Sequence, residues 1–77
     1  MPARFRITSD PRVLRGKPVI RGTRISVEFI LELLSSGMTP EEIAEEYPNL
    51  ARNDVLAAVR YAAQTLKREE ILPIQAR

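Results

Sequence analysis

Neither a cysteine nor a histidine occurs among the 77 residues, and in so short a chain that double absence limits the routes to a stable fold. A domain of this size buries only about 60% of its unfolded surface, and one core supplies roughly 3–5 kcal/mol. Small domains make up the shortfall with disulfides or a structural metal, and here there are no thiolates or imidazoles to build them. The remaining cheap source of stability is a second copy of the chain, so the sequence predicts a homodimer. The same absences remove the commonest general base and the commonest metal ligand. Lys17 and Lys67 could serve a nucleophilic Ser or Thr, but neither lies in a Ser-x-x-Lys arrangement. Gly16 and Gly22 lack the context of a phosphate-binding loop. The expectation is a binding protein and not an enzyme, with no metal, cofactor or small-molecule substrate.

The charge is sharply divided along the chain. Residues 1–24 hold seven cations (Arg4, Arg6, Arg12, Arg15, Lys17, Arg21, Arg24) against Asp10 alone, whereas residues 25–50 hold six glutamates and no cation. Residues 51–77 return to a mild excess, five cations against three anions. A basic arm on an acidic body either serves two different partners or neutralises itself across the fold or across a dimer. No apolar run is long enough for a secretory or membrane-spanning segment, so the predicted address is cytoplasmic, away from membranes.

Local patterns predict a mainly α fold: a three-helix, homeodomain-like helix-turn-helix core behind a short N-terminal β-arm or hairpin. Arg4-Phe5-Arg6-Ile7-Thr8 alternates with period two, as a half-buried strand does, and Pro18-Val19-Ile20 is a second short extended piece. Turns fall at Asp10-Pro11, Arg15-Gly16-Lys17-Pro18 and Gly22. Two short strands are marginal in water and need a helix face or another chain to complete them.

The helix signals are stronger. Ser26 can cap a first helix, with Glu28 at the positive end of its dipole, Ile25 and Ile30 as a hydrophobic staple, and Gly37 as a left-handed stop. Thr39-Pro40-Glu41-Glu42 is a capping box with proline at the first helical position, Met38 and Ile43 supply the staple, and Pro48 ends the helix near Tyr47. A third helix is predicted from about Arg52 into the late sixties, with Leu50 and Val55 as staple and Ala51, a poor cap, preceding it. Val55, Val59, Ala62 and Leu66 form its predicted apolar stripe, and Ala57, Ala58, Ala62 and Ala63 allow close helix packing. Glu41, Glu42, Glu45 and Glu46 spread over much of the second helix, which reads as a solvated face and not as a metal site.

A helix of about eight residues, a break at Pro48-Asn49-Leu50 and a longer helix is the layout of a helix-turn-helix. Such units turn the start of the second helix toward base edges, which here means Arg52 and Asn53, with Arg60 two turns on near the backbone. Arg4 and Arg6 of the arm are the candidate phosphate contacts. The glutamates at the start of helix two oppose a close approach to the duplex.

The order of motifs is more distinctive than any of them alone. Asp10-Pro11, Gly16-x-Pro18-x-Ile20-x-Gly22-Thr23-Arg24-Ile25, Gly37-Met38-Thr39-Pro40-Glu41-Glu42-Ile43 and Tyr47-Pro48 together resemble the domain of unknown function 433 family over roughly residues 5–66. The chain departs from that pattern at Ala51, where the family tends to have Thr or Ser. Thr23 and Arg24 lie within the matched motif, with Arg24 expected to hold the arm to backbone carbonyls or to Asp10. The resemblance implies a helix-turn-helix core with a β-arm and a likeness to VapB-type antitoxins, which are encoded beside PIN-like ribonuclease toxins.

The sequence-based division is thus 1–25 as a dimerising basic arm, 26–66 as the helix-turn-helix core and 67–77 as a tail. Ile71, Leu72 and Ile74 are the expected anchor on the toxin, and Arg77 the expected plug for its carboxylate site. The leading expectation is the antitoxin of a type II toxin–antitoxin pair that neutralises a PIN-like ribonuclease and binds operator DNA as a dimer. The alternative is a dimeric protein-interaction module that never touches DNA.

Overall fold

A computed structural model describes residues 6–68 of the chain. It is mainly helical, with three α-helices and a small antiparallel hairpin: β1 (Ile7–Thr8), β2 (Val19–Ile20), α1 (Val27–Ser35), α2 (Pro40–Glu46) and α3 (Arg52–Arg68). In the hairpin Ile7 pairs with Ile20 and Thr8 with Val19. The other edge of β2 is covered by the lead-in to α1, where the Ile20 N–H donates to the Ile25 carbonyl and the Val27 N–H to the Pro18 carbonyl, each at 2.9 Å. β2 therefore has backbone partners on both sides, and Ile7 and Ile20 enter the same core as the helices. The support that two short strands require comes from this chain's own helical layer, into which residues 6–25 are built.

Each helix starts and stops for a local reason. The Ser26 hydroxyl accepts the Phe29 N–H at 2.9 Å and begins α1. Gly37, at φ +106, ends it in a Schellman motif: the Gly37 N–H reaches the Leu34 carbonyl and the Met38 N–H the Leu33 carbonyl. The capping box of α2 is complete, with Thr39 Oγ1 accepting from the Glu42 N–H and Glu42 Oε1 from the Thr39 N–H. At α3 the missing Ala51 side-chain cap is replaced from the helix side, because Asp54 Oδ2 accepts the Ala51 N–H at 2.9 Å.

The core is formed by Ile7, Ile20, Val27, Ile30, Ile43, Leu50, Val55, Ala57 and Ala58, with Ile25, Met38 and Tyr47 among the side chains packed against it. All six positions of the three staples thus contribute to it. α3 packs against both α1 and α2, and its buried part lies in its first two turns. The apolar stripe predicted for α3 needs correction: Val55 is buried and Ala62 partly so, whereas Val59 and Leu66 are 41% and 56% exposed. Tyr61 and Thr65, which were outside that stripe, are turned inward in their place. Ala57 and Ala58 are closely packed, while Ala63 faces solvent. Helix α3 continues through Arg68, so Lys67 and Arg68 of the expected tail belong to it. No helix among the described residues is long and apolar enough to cross a membrane.

Candidate nucleic-acid interface

Among the described residues, two of the surfaces that carry cations are candidates to meet a polyanion, and they differ in how many of those cations are already neutralised. The first is the expected reading helix. Arg52 and Asn53 lie on the exposed first turn of α3, and Arg60 is exposed two turns later. Arg52 is not isolated, because its Nε donates to Glu41 Oε2 at the start of α2. That hydrogen bond holds the Glu41 carboxyl below its ordinary range. The acidic face foreseen as an obstacle to DNA thus occupies the arginine expected to read it. The four glutamates of α2 do not converge, and no cluster of acidic side chains able to hold a metal occurs among the described residues.

Arg6, expected as a phosphate contact, is also engaged within the chain. Its Nη1 donates to Asp54 Oδ1 at 2.9 Å, and the two side chains are 31% and 13% exposed. Arg6 thereby ties β1 to the first turn of α3, through the same carboxylate that caps Ala51. Arg4, Ile71, Leu72, Ile74 and Arg77 lie outside the described residues.

The second surface is formed by the loops on either side of β2. Between β1 and β2 the chain folds into a tight turn, Leu14–Gly16, fixed by the Gly16 N–H on the Val13 carbonyl and the Lys17 N–H on the Leu14 carbonyl. Asp10 anchors its entrance, accepting the Arg12 N–H at 2.9 Å and the Arg12 guanidinium through both oxygens. These bonds lower the Asp10 pKa and raise that of Arg12. Leu14, Arg15 and Gly16 are all left-handed, with φ of +49, +58 and +83. For Leu14 and Arg15 that geometry costs about 1 kcal/mol each. It leaves Leu14 37% exposed and Arg15 in solvent.

The turn forms one wall of a cleft of about 680 Å³ against the start of α1. Arg15, Lys17 and Arg24 line it together with Leu14, Ile25 and Phe29, and Glu28 and Glu32 complete the α1 side. Lys17 Nζ is bound to Glu28 Oε1 at 2.8 Å. The Arg15 and Arg24 side chains are exposed and have no hydrogen-bond or ion-pair partner among the described residues, and the exposed Glu32 carboxylate likewise has none. Arg24 does not tie the arm to Asp10, which is held by Arg12 instead. Thr23 does have the structural role foreseen for that motif, donating to the Ile20 carbonyl at 2.8 Å and accepting the Ile25 N–H at 2.9 Å. Sequence reading missed Arg15 as a site residue. The available signal was a lone arginine before glycine in a turn, which by itself does not show that the turn will aim it outward.

The family profile described as Protein of unknown function (DUF433) matches residues 7–62, from β1 to the middle of α3. The chain belongs to that family. A DUF433 member protein from Anabaena variabilis, solved by crystallography, superposes with a TM-score of 0.74 at 32% identity, over 82% of this chain and 62% of the other. The uncharacterized protein y4eO of Sinorhizobium fredii is 37% identical over 60 residues, 78% of this chain. The DUF433 chain described here spans 27% of that relative's length and less than two thirds of the crystallised one. The likenesses establish family and fold, and bring no activity with them.

Proposed function

We propose that this DUF433 protein is a cytoplasmic, DNA-binding antitoxin: a dimeric regulator, with a homeodomain-like helix-turn-helix, that neutralises a PIN-like ribonuclease. The observation that carries DNA binding is the pair of exposed guanidiniums, Arg15 and Arg24, which line one cleft beside the α1 N-terminus and have no ion-pair partner among the described residues. Guanidiniums fixed on short loops suit phosphate oxygens, and their contribution is paid back as released counterions. The reading therefore moves the main backbone contact from Arg6 to the loops around β2, with Arg4 kept as a further phosphate contact. Arg52, Asn53 and Arg60 remain the base-reading candidates, with Arg52 exchanging Glu41 for a base edge on binding.

A mobility-shift titration against the protein's own promoter tests this. Arg15→Ala with Arg24→Ala is expected to weaken binding to every sequence and to lower the salt slope by about 0.9 per lost phosphate contact. Arg52→Ala is expected to relax sequence preference and leave that slope unchanged. An unaltered slope in the double variant refutes the assignment. The toxin half of the proposal is tested separately, by growth on co-expression with the neighbouring nuclease. Truncation after Arg68, which leaves α3 whole, is expected to abolish rescue, and full rescue refutes the tail as toxin contact. One observation favours the second reading, a dimeric interaction module without DNA: Arg6 and Arg52 are both already satisfied inside the chain. No binding at low salt, with or without the partner protein, would decide for it.

A further inference from the structure

Helix α3 is longer than the helices it packs on. Its 17 residues span about 25 Å, against about 13 Å for the nine of α1. Beyond Ala58 none of its described residues is fully buried. There it borders a groove of about 590 Å³, with Val27 and Leu31 of α1 on one wall and Tyr61, Ala62 and Leu66 of α3 on the other. This groove adjoins the arginine cleft, with Lys17, Glu28 and Glu32 lining both.

We propose that a second copy of this chain occupies the groove, forming a two-fold dimer in which α3 packs antiparallel to its counterpart and inserts Leu66. The argument for a second copy is charge. The α1 rim carries Glu32, whose exposed carboxylate has no partner among the described residues, and Glu28, neutralised by Lys17. The end of α3 carries Lys67 and Arg68, both exposed and likewise without a described partner. A two-fold interface must be complementary to itself, and this surface holds both signs, with an apolar groove between them. A partner of single charge would satisfy one rim and repel the other. In the antiparallel arrangement Lys67 and Arg68 of each copy meet Glu32 of the other, and Ala62 with Thr65 lets the helices approach to about 8–10 Å. Leu66, which a core-facing stripe failed to bury within one chain, is buried across two.

The inference shares with the proposed function only the expectation of a dimer, and its test contains no DNA. Sedimentation equilibrium on the full chain at about 100 µM is expected to give twice the monomer mass, falling on dilution. Leu66→Glu, at a side chain already exposed in the monomer, is expected to give the monomer with an unchanged helical circular dichroism spectrum. Glu32→Lys is expected to weaken association by at least about tenfold. Adding Lys67→Glu and Arg68→Glu to Glu32→Lys is expected to restore it. Leu14→Glu, in the arginine cleft, is expected to leave the dimer intact. A monomeric wild type, a Leu66→Glu protein that dimerises like the wild type, or no recovery on full charge reversal would each overturn the proposal. Loss of the dimer in Leu14→Glu alone would overturn it in favour of the arm.

Discussion

Replacing Asp54 by alanine removes one carboxylate and two attachments. Oδ1 receives the Arg6 guanidinium and Oδ2 the Ala51 N–H, both at 2.9 Å. The first joins β1 to α3, and the second closes the start of α3 where residue 51 has no side-chain acceptor. A hydrogen bond to a charged group contributes about 1.5–3 kcal/mol when buried, which falls to about 1–2 for a pair this close to solvent. The helix-start bond adds about 0.5–1 kcal/mol. Asp54→Ala should therefore cost about 1.5–3 kcal/mol, close to half of what a domain this small can have. The melting temperature should fall by about 10–20 °C. Asp54→Asn keeps an acceptor for the Ala51 N–H and should lose only the ionic part. Urea denaturation followed by circular dichroism on Asp54→Ala, Arg6→Ala and the double variant gives the coupling between the two side chains, expected at about 1 kcal/mol. A loss below about 0.5 kcal/mol for Asp54→Ala, or no coupling to Arg6, would refute the claim that this carboxylate joins arm and helix.

Ala51→Ser or Ala51→Thr should stabilise the protein by about 0.5–1 kcal/mol, because a hydroxyl at that position accepts an unpaired N–H of the first turn of α3. No gain in urea denaturation would mean that Asp54 already saturates the helix start. Gly37→Ala should destabilise by about 1–2 kcal/mol. The added Cβ meets nothing within 4 Å, so the cost is entirely that of φ +106, and an unchanged midpoint would contradict the Schellman stop. The Arg52–Glu41 pair gives a pH signature. Glu41 is depressed below 4.5 by the Arg52 hydrogen bond, so the pair is intact above the ordinary glutamate range and is lost as pH falls through the lowered value. Carboxyl titration by NMR should show the Glu41 midpoint rising in Arg52→Ala, and an unmoved midpoint would remove the pair from solution.

Helix boundaries were legible because the chemistry that sets them is local. Ser26, Thr39 with Glu42, Pro40, Gly37 and Pro48 act on backbone groups within a few residues, and the staple pairs repeat the same short-range logic, so all appear in the structure as the sequence suggests. The short hairpin was legible for the same reason, from β-branched residues between turn signals. Tertiary structure decided the allocation of side chains over longer distances. Arg6 and Asp54 are 48 residues apart, and Arg52 and Glu41 are 11 apart. No periodicity reports that two candidate DNA contacts will be spent on such partners. The face of α3 was similarly undetermined, since Val59 and Leu66 fit a helical stripe as well as Tyr61 and Thr65 do. What chose between them was how α3 is set against its neighbours, with Tyr61 and Thr65 on the side that borders α1. The sequence by itself determined where this chain makes helices and how each one starts and stops. Packing alone determined which cations remain free, because an ion pair depends on distance in space, and distance in space is set by the whole fold.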